Sequence, residues 1–253
     1  MAAVPPWRLP FWIAHRGAGK LAPENTLAAF CVGANHGYRA FECDVKLSSD
    51  GVPFLLHDAT LERTTSGRGR AADLPWSELA RLDAGSWHSP RFAGELLPSF
   101  EAVAAFCQDS GYALNVEIKP TPGSEAETGR VVAEQAQRLW QGKTTPLLFS
   151  SFQVAALATA AATAPEIARA LLLDEVRVGW HESASALGCA AVVFRHSLID
   201  APVLTLCKAG RWMVMAYTVN DVATATRLGQ LGVDGLITDA VDRFPPASGA
   251  PAP

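Results

Sequence analysis

The 253-residue chain is poor in charge: Asp, Glu, Lys and Arg make up 18% of it against 49% apolar residues, and the formal net charge is −4. That balance excludes a disordered chain, which combines low hydrophobicity with high charge. The missing basic excess excludes the electrostatic footprint of a nucleic-acid partner. Paired cysteines are missing too. Cys31, Cys43, Cys107, Cys189 and Cys207 stand singly, with no C-x-x-C pair and no Cys/His cluster at zinc spacing. They read as reduced thiols, which points to a cytoplasmic protein. The opening MAAVPPWRLP holds no apolar run of signal-peptide length. The longest uncharged stretch, Thr144 to Pro165, is interrupted by Pro146, Ser150, Ser151, Gln153 and several threonines, so no stable membrane insertion is expected. The low-complexity tail, residues 247–253, is expected to be disordered.

What the chain has is a rhythm. Apolar strand-length runs alternate with helix-length segments, which argues for parallel strands joined by helical crossovers. Strands are predicted at Phe11 to Ala14, Arg39 to Asp44, Tyr112 to Ile118, Pro146 to Ser150, Ile167 to Leu173, Ala190 to Phe194, Trp212 to Thr218 and Asp234 to Thr238. Eight strands in a chain of this length fit a TIM (β/α)8 barrel, read as a single domain over residues 1–246. Helices are expected between them, at Thr26 to His36, Ser99 to Asp109, Ser124 to Gln141, Gln153 to Thr163, Asp174 to Ala186, Ala201 to Ala209 and Asp221 to Leu231. One long interruption, at about residues 46–111, separates the second and third predicted strands. It reads as an insertion, and excursions of this length usually carry function.

Barrel enzymes work at the C-terminal ends of their strands. The richest such stretch is Phe41 to Asp58, FECDVKLSSDGVPFLLHD. Glu42 and Asp44 lie two apart on a strand and so leave it on one face. Asp50-Gly51 is a turn signal that would fold His57 back over them. Glu-x-Asp alone also fits an exposed strand with an acidic face, but the other strand ends argue for a site. Glu117 and Lys119 repeat the spacing in the third strand, and His15-Arg16 ends the first. Converging carboxylates without clustered cysteine suit a hard divalent cation, Mg²⁺ or Ca²⁺. Such an ion neutralises a phosphate and acidifies a bound hydroxyl or water. Lys119 and Arg16 add positive charge for a phosphate, and two histidines supply an acid and a base near neutral pH. Asp174, Arg195 and Asp239 read as ordinary strand-end polarity, Arg63 to Arg70 as a solvated loop, and Trp87 as a candidate pocket wall.

These residues sit in blocks that resemble the glycerophosphodiester phosphodiesterase family, most closely its compact cytosolic bacterial members. The blocks are AHRGAGKLAPENTLAAF, FECDVKLSSDGVPFLLHDATLERTTSGRG, LDAGSW, LNVEIKP, SSF, AYTVND and GVDGLITD, in family order across most of residues 11–244. The resemblance implies that His15 and His57 are the catalytic pair, that Glu42, Asp44 and Glu117 hold the metal, and that Arg16 and Lys119 bind the phosphate. Tyr217 stands where many members have Trp, so it is expected to wall the substrate pocket. PSFEAV at residues 98–103 departs from the usual Pro-Thr-Leu-Glu-Glu and touches no catalytic group. The implied reaction is hydrolysis of small glycerophosphodiesters, such as glycerophosphocholine or glycerophosphoethanolamine, to sn-glycerol 3-phosphate and an alcohol. Two other readings keep the fold: a phospholipase D-like enzyme that releases a cyclic phosphate from lysophospholipids, and an inactive phosphodiester-binding barrel. The second would lack one of the five catalytic or ligating residues, and all are present.

Overall fold

The structure, a computed structural model, describes residues 8–246. Eight parallel strands close into a barrel: β1 (Trp12–Ala14), β2 (Ala40–Leu47), β4 (Ala113–Ile118), β5 (Leu147–Ser151), β6 (Ala168–Leu173), β7 (Ala191–Arg195), β8 (Met213–Tyr217) and β9 (Gly235–Thr238). Closure comes from β1, which pairs with β2 through Ala14 and Phe41 and with β9 through Trp12 and Leu236. A short ninth strand, β3 (Pro53–Leu55), lies outside the barrel, antiparallel to β2. The helices are α1 (Leu27–Asn35), α2 (Trp76–Leu79), α3 (Phe100–Ser110), α4 (Glu125–Trp140), α5 (Val154–Thr163), α6 (Trp180–Ala186), α7 (Ala201–Gly210) and α8 (Val222–Leu231). The expected eight-stranded barrel is therefore what forms. The tail, residues 247–253, lies outside the described residues.

Strand alternation sorts the side chains into two cores. Outward residues such as Phe41, Cys43, Val45, Leu114, Val116 and Phe149 meet the helices. Inward residues Ile13, Ala40, Ala113, Leu148, Ala170, Leu172, Ala191, Val193, Met215 and Ile237 fill the lumen. Each fully buried Ile, Leu or Val stabilises the fold by about 1.5–3 kcal/mol. Toward the C-terminal ends the inward positions turn polar: Glu42, Asp44, Asn115, Glu117 and Ser150 are all buried. The apolar plug below thus sets the depth of the polar layer above.

Local signals explain the helix ends. Thr26, Ser99, Asp200 and Asp221 each accept a hydrogen bond from a first-turn amide, the N-cap arrangement. Glycines in the left-handed region close α3 (Gly111, φ 69°) and α8 (Gly232, φ 80°). The helix expected from Asp174 begins only at Trp180. Residues 174–179 form a loop instead, because Gly179 at φ 83° sits just before the helix in a backbone state that a helix cannot continue through. That loop places Asp174 and Arg177 on the rim of the barrel mouth.

Between β2 and α3 the chain builds a small substructure with its own core of Phe54, Leu56, Leu61, Ala71, Leu79, Ala84 and Leu97. Asp83 knots its loop by accepting from the amides of Gly85, Ser86 and Gly94 and from the Ser86 hydroxyl. Trp87 donates its indole N–H to the Ala84 carbonyl and meets His88 edge to face. It packs within this substructure and lines neither cavity at the barrel mouth. Among the described residues no helix is long and apolar enough to cross a membrane.

Candidate active site

Strand β2 carries Glu42 and Asp44 and the adjacent β4 carries Glu117, in a register that pairs Asp44 with Glu117. The three carboxylates offer oxygens that all lie within 4.8 Å of one another. Burial pushes the Glu42 carboxyl well above the ordinary range, and the Asp44 and Glu117 charges add to it. Burial and Asp44 likewise push Glu117 up to about 7. Asp44 goes the other way: although burial opposes ionisation, Lys119 and Arg16 hold its carboxyl below the usual range. One Glu42 oxygen, Oε1, is buried and has no hydrogen-bond partner among the described residues. Crowded buried carboxylates with a free oxygen are what a hard divalent cation relieves, so the donor set fits one.

The first βα loop frames this triad. Arg16 (φ 51°) and Asn25 (φ 59°) hold left-handed backbone conformations uncommon for residues with a side chain. The turn aims the Arg16 amide at Glu42 Oε2, 3.1 Å away. Asn25 clamps Asp44 by donating from Nδ2 to Oδ2 at 2.8 Å and accepting the Asp44 amide at 3.1 Å. Helix α1 supports the loop at Gly33, where a Cβ would come within 2.1 Å of the Gly17 carbonyl. The Arg16 guanidinium bonds Glu24 at 2.8 Å, and its Nε lies 3.2 Å from Asp44 Oδ2 without an aligned acceptor. Lys119 reaches Asp44 at 3.2 Å and Glu117 at 3.3 Å.

The two histidines stand around the triad in matching arrangements. His15 Nδ1 is 2.6 Å from Asp239 Oδ1, and its Nε2 is 3.7 Å from Glu42 Oε2. His57 Nδ1 is 2.7 Å from Asp58 Oδ1. Burial lowers the His57 pKa from its ordinary value, against the pull of Asp44. The two histidines, the three carboxylates, Arg16 and Lys119 therefore meet at one end of the barrel. Tyr217 joins them: it lines a cavity of about 20 Å³ with His15, Glu42 and Glu117. Its ring meets Phe152 edge to face, and its hydroxyl donates to the Leu173 carbonyl at 3.3 Å.

Several side chains that hold the site residues are not singled out by the sequence pattern. Asp239, expected to be ordinary strand-end polarity, instead holds His15 and is itself held by Asn220. Arg63, assigned to a solvated loop, forks two carboxylates: it meets Asp58 at 2.6 and 3.0 Å and Glu24 twice at 2.8 Å. A charged chain thus runs His57–Asp58–Arg63–Glu24–Arg16, linking both sides of the site through the insertion. Asn25 carried a signal in the Pro-Glu-Asn-Thr block. Lys46 stands two residues past Asp44 on the same strand face.

A barrel mouth with an acidic triad, two cations and two carboxylate-anchored histidines defines a class, the hydrolases of anionic esters. The chain belongs to the glycerophosphoryl diester phosphodiesterase family, whose family model matches residues 15–243, and with it to the phosphoric diester hydrolases. It is 32% identical over 232 residues to the glycerophosphodiester phosphodiesterase of Caldanaerobacter subterraneus, covering 90% of this chain and 93% of the relative. Its fold matches a phosphodiesterase from Oleispira antarctica solved with the product sn-glycerol-3-phosphate. The TM-score is 0.86, with 36% identity over 93% of this chain and 95% of that one. It also matches a glycerophosphodiester phosphodiesterase from Agrobacterium tumefaciens with a TM-score of 0.78 and 27% identity, over 93% of this chain and 99% of that one.

Proposed function

We propose that this enzyme is a metal-dependent glycerophosphodiesterase, converting glycerophosphodiesters such as glycerophosphocholine and glycerophosphoethanolamine to sn-glycerol 3-phosphate and the free alcohol. One observation carries the reading. His15 and His57 each anchor Nδ1 on a carboxylate, at 2.6 and 2.7 Å, while His15 Nε2 lies 3.7 Å from Glu42 and His57 lines the cavity beside the triad. That is the geometry of an acid and a base with fixed tautomers. Glu42, Asp44 and Glu117 would hold a Mg²⁺ or Ca²⁺ ion, which when bound supplies charge neutralisation for the phosphate and acidifies a hydroxyl or water. Arg16, with an unaligned Nε–H, and Lys119 bind the non-bridging phosphate oxygens. One histidine removes a proton from the attacking oxygen, and the other donates one to the departing alkoxide. Tyr217 walls the substrate pocket. Four of the five cysteines are buried and all are free, in keeping with a reducing cytoplasmic setting.

The test is release of glycerol 3-phosphate from glycerophosphocholine and glycerophosphoethanolamine, read through a coupled dehydrogenase, with EDTA and then with Mg²⁺ or Ca²⁺. Release that EDTA abolishes and one cation restores is the expected result. Release unaffected by EDTA would overturn the metal site, and no release from either compound would overturn the substrate class.

A further inference from the structure

The cavity of about 600 Å³ at the barrel mouth runs from Glu117, Lys119 and His57 out to Asp174 and Arg177. Its wall holds a group that the reaction above leaves unused. Lys46 continues the face of β2 that carries Glu42 and Asp44. It is 5% exposed, lines this cavity, and makes one hydrogen bond among the described residues, to the Lys119 carbonyl at 3.3 Å. An ammonium has three donors, and burying one without a bonded anion is unfavourable; Asp44, Glu117 and Asp58 favour its charge, but among the described residues none forms an ion pair with it. The acids of the same wall are already engaged: Asp58 by His57 and Arg63, Glu117 by Lys119, Asp174 by Arg177. Arg177 also meets Glu175 at 2.7 Å, and all three side chains are more than half exposed, so these are weak contacts that a ligand can replace. The reacting diester carries a single negative charge and has Arg16 and Lys119 to meet it.

We propose that Lys46, with Arg177 at the rim, forms a leaving-group subsite for a second anion, a carboxylate or phosphate borne by the alcohol that is released. The proposal rests on the phosphodiesterase reading above and names the class of diester that this enzyme prefers. Matched substrates test it. Glycerophosphoserine differs from glycerophosphoethanolamine by one carboxylate, and glycerophosphoglycerol differs from its terminal phosphomonoester by one phosphate; the two pairs separate the two sources of charge. Wild-type enzyme is expected to favour the anionic member of at least one pair by about 10- to 100-fold in kcat/KM, the worth of one charge-assisted contact. The preference should lie mainly in KM. Lys46→Met, or Lys46→Gln should the first not fold, is expected to bring that ratio to about 1. A wild-type ratio near 1 for both pairs overturns the subsite, as does a ratio that survives in the variant. Equal losses on both members of a pair would assign Lys46 to the reacting phosphate and likewise overturn it. Should wild-type enzyme hydrolyse none of the four, the reaction reading fails on its own. Calorimetric binding of the same pairs then decides the subsite: tighter binding of an anionic member, lost in Lys46→Met, supports it, and equal binding overturns it.

Discussion

Asp239→Asn is the sharpest test of the acid–base arrangement, because the surrounding hydrogen bonds dictate what the new amide must do. Asn220 Oδ1 accepts the Asp239 backbone amide at 2.8 Å, so its Nδ2 must face the Asp239 side chain, where it donates to Oδ2 at 3.0 Å. An asparagine at 239 satisfies that donor only with its own Oδ1. Its NH₂ then faces His15 Nδ1, which in the native enzyme lies 2.6 Å from a carboxylate oxygen. A donor there forces Nδ1 to accept and moves the ring proton to Nε2, the nitrogen turned toward Glu42. His15 loses its Nε2 lone pair for service as a base, and the imidazolium needed for service as an acid is disfavoured by the facing amide. The wrong tautomer of an acid–base histidine costs about 10²- to 10⁴-fold in kcat, or about 3 to 5 kcal/mol of barrier. The change is isosteric, so the melting temperature should move little. Steady-state kinetics of glycerol 3-phosphate release measures the first effect, and ¹⁵N NMR of the His15 ring reads the tautomer. Native kcat in a variant whose ring proton has moved to Nε2 would refute the role given to His15.

Two further outcomes follow from the insertion. Arg63→Ala should lower kcat about 10- to 100-fold by freeing both Asp58 and Glu24, while stability falls by only about 1 to 2 kcal/mol because the side chain is 44% exposed. Lysine at 63 should restore less than half of the loss, since a point charge cannot fork two carboxylates; full activity in Arg63→Ala would remove this clamp from the site. Asp83→Ala should lower stability by about 1 to 2 kcal/mol at neutral pH, measured by urea unfolding. The Ser86 amide, then the Ser86 hydroxyl and the Gly94 and Gly85 amides, hold the Asp83 carboxyl below its ordinary value. Its stabilisation is therefore complete above about pH 4 and fades as pH falls further, so the gap between variant and native protein should narrow in acid. A gap independent of pH would mean that the Asp83 charge contributes nothing.

The barrel and its acidic triad were legible in the sequence because both rest on local rules. Alternation with a period of two puts Glu42 with Asp44 on one strand face, and the βα rhythm brings the ends of neighbouring strands together at one rim. The helix at 180–186 was overextended backward to Asp174 because loop residues of good propensity look helical until the backbone sign of Gly179 is known. Lys46 obeyed the same alternation as the acids, but that it lines a cavity is seen only in the closed barrel. Asp239 and Arg63 were beyond any local rule. Asp239 meets His15 across 224 residues of sequence because β9 closes the barrel on β1, and Arg63 reaches Glu24 because the insertion folds back over the first loop. Residue type and spacing along each strand were thus enough to place the acids and the histidines at one rim, and the resemblance of the blocks that carry them named the reaction family. That Asp239 orients His15, and that Arg63 ties Asp58 to Glu24, was decided by barrel closure and by the docking of the insertion, because those contacts join residues that lie far apart along the chain and meet only when the barrel shuts.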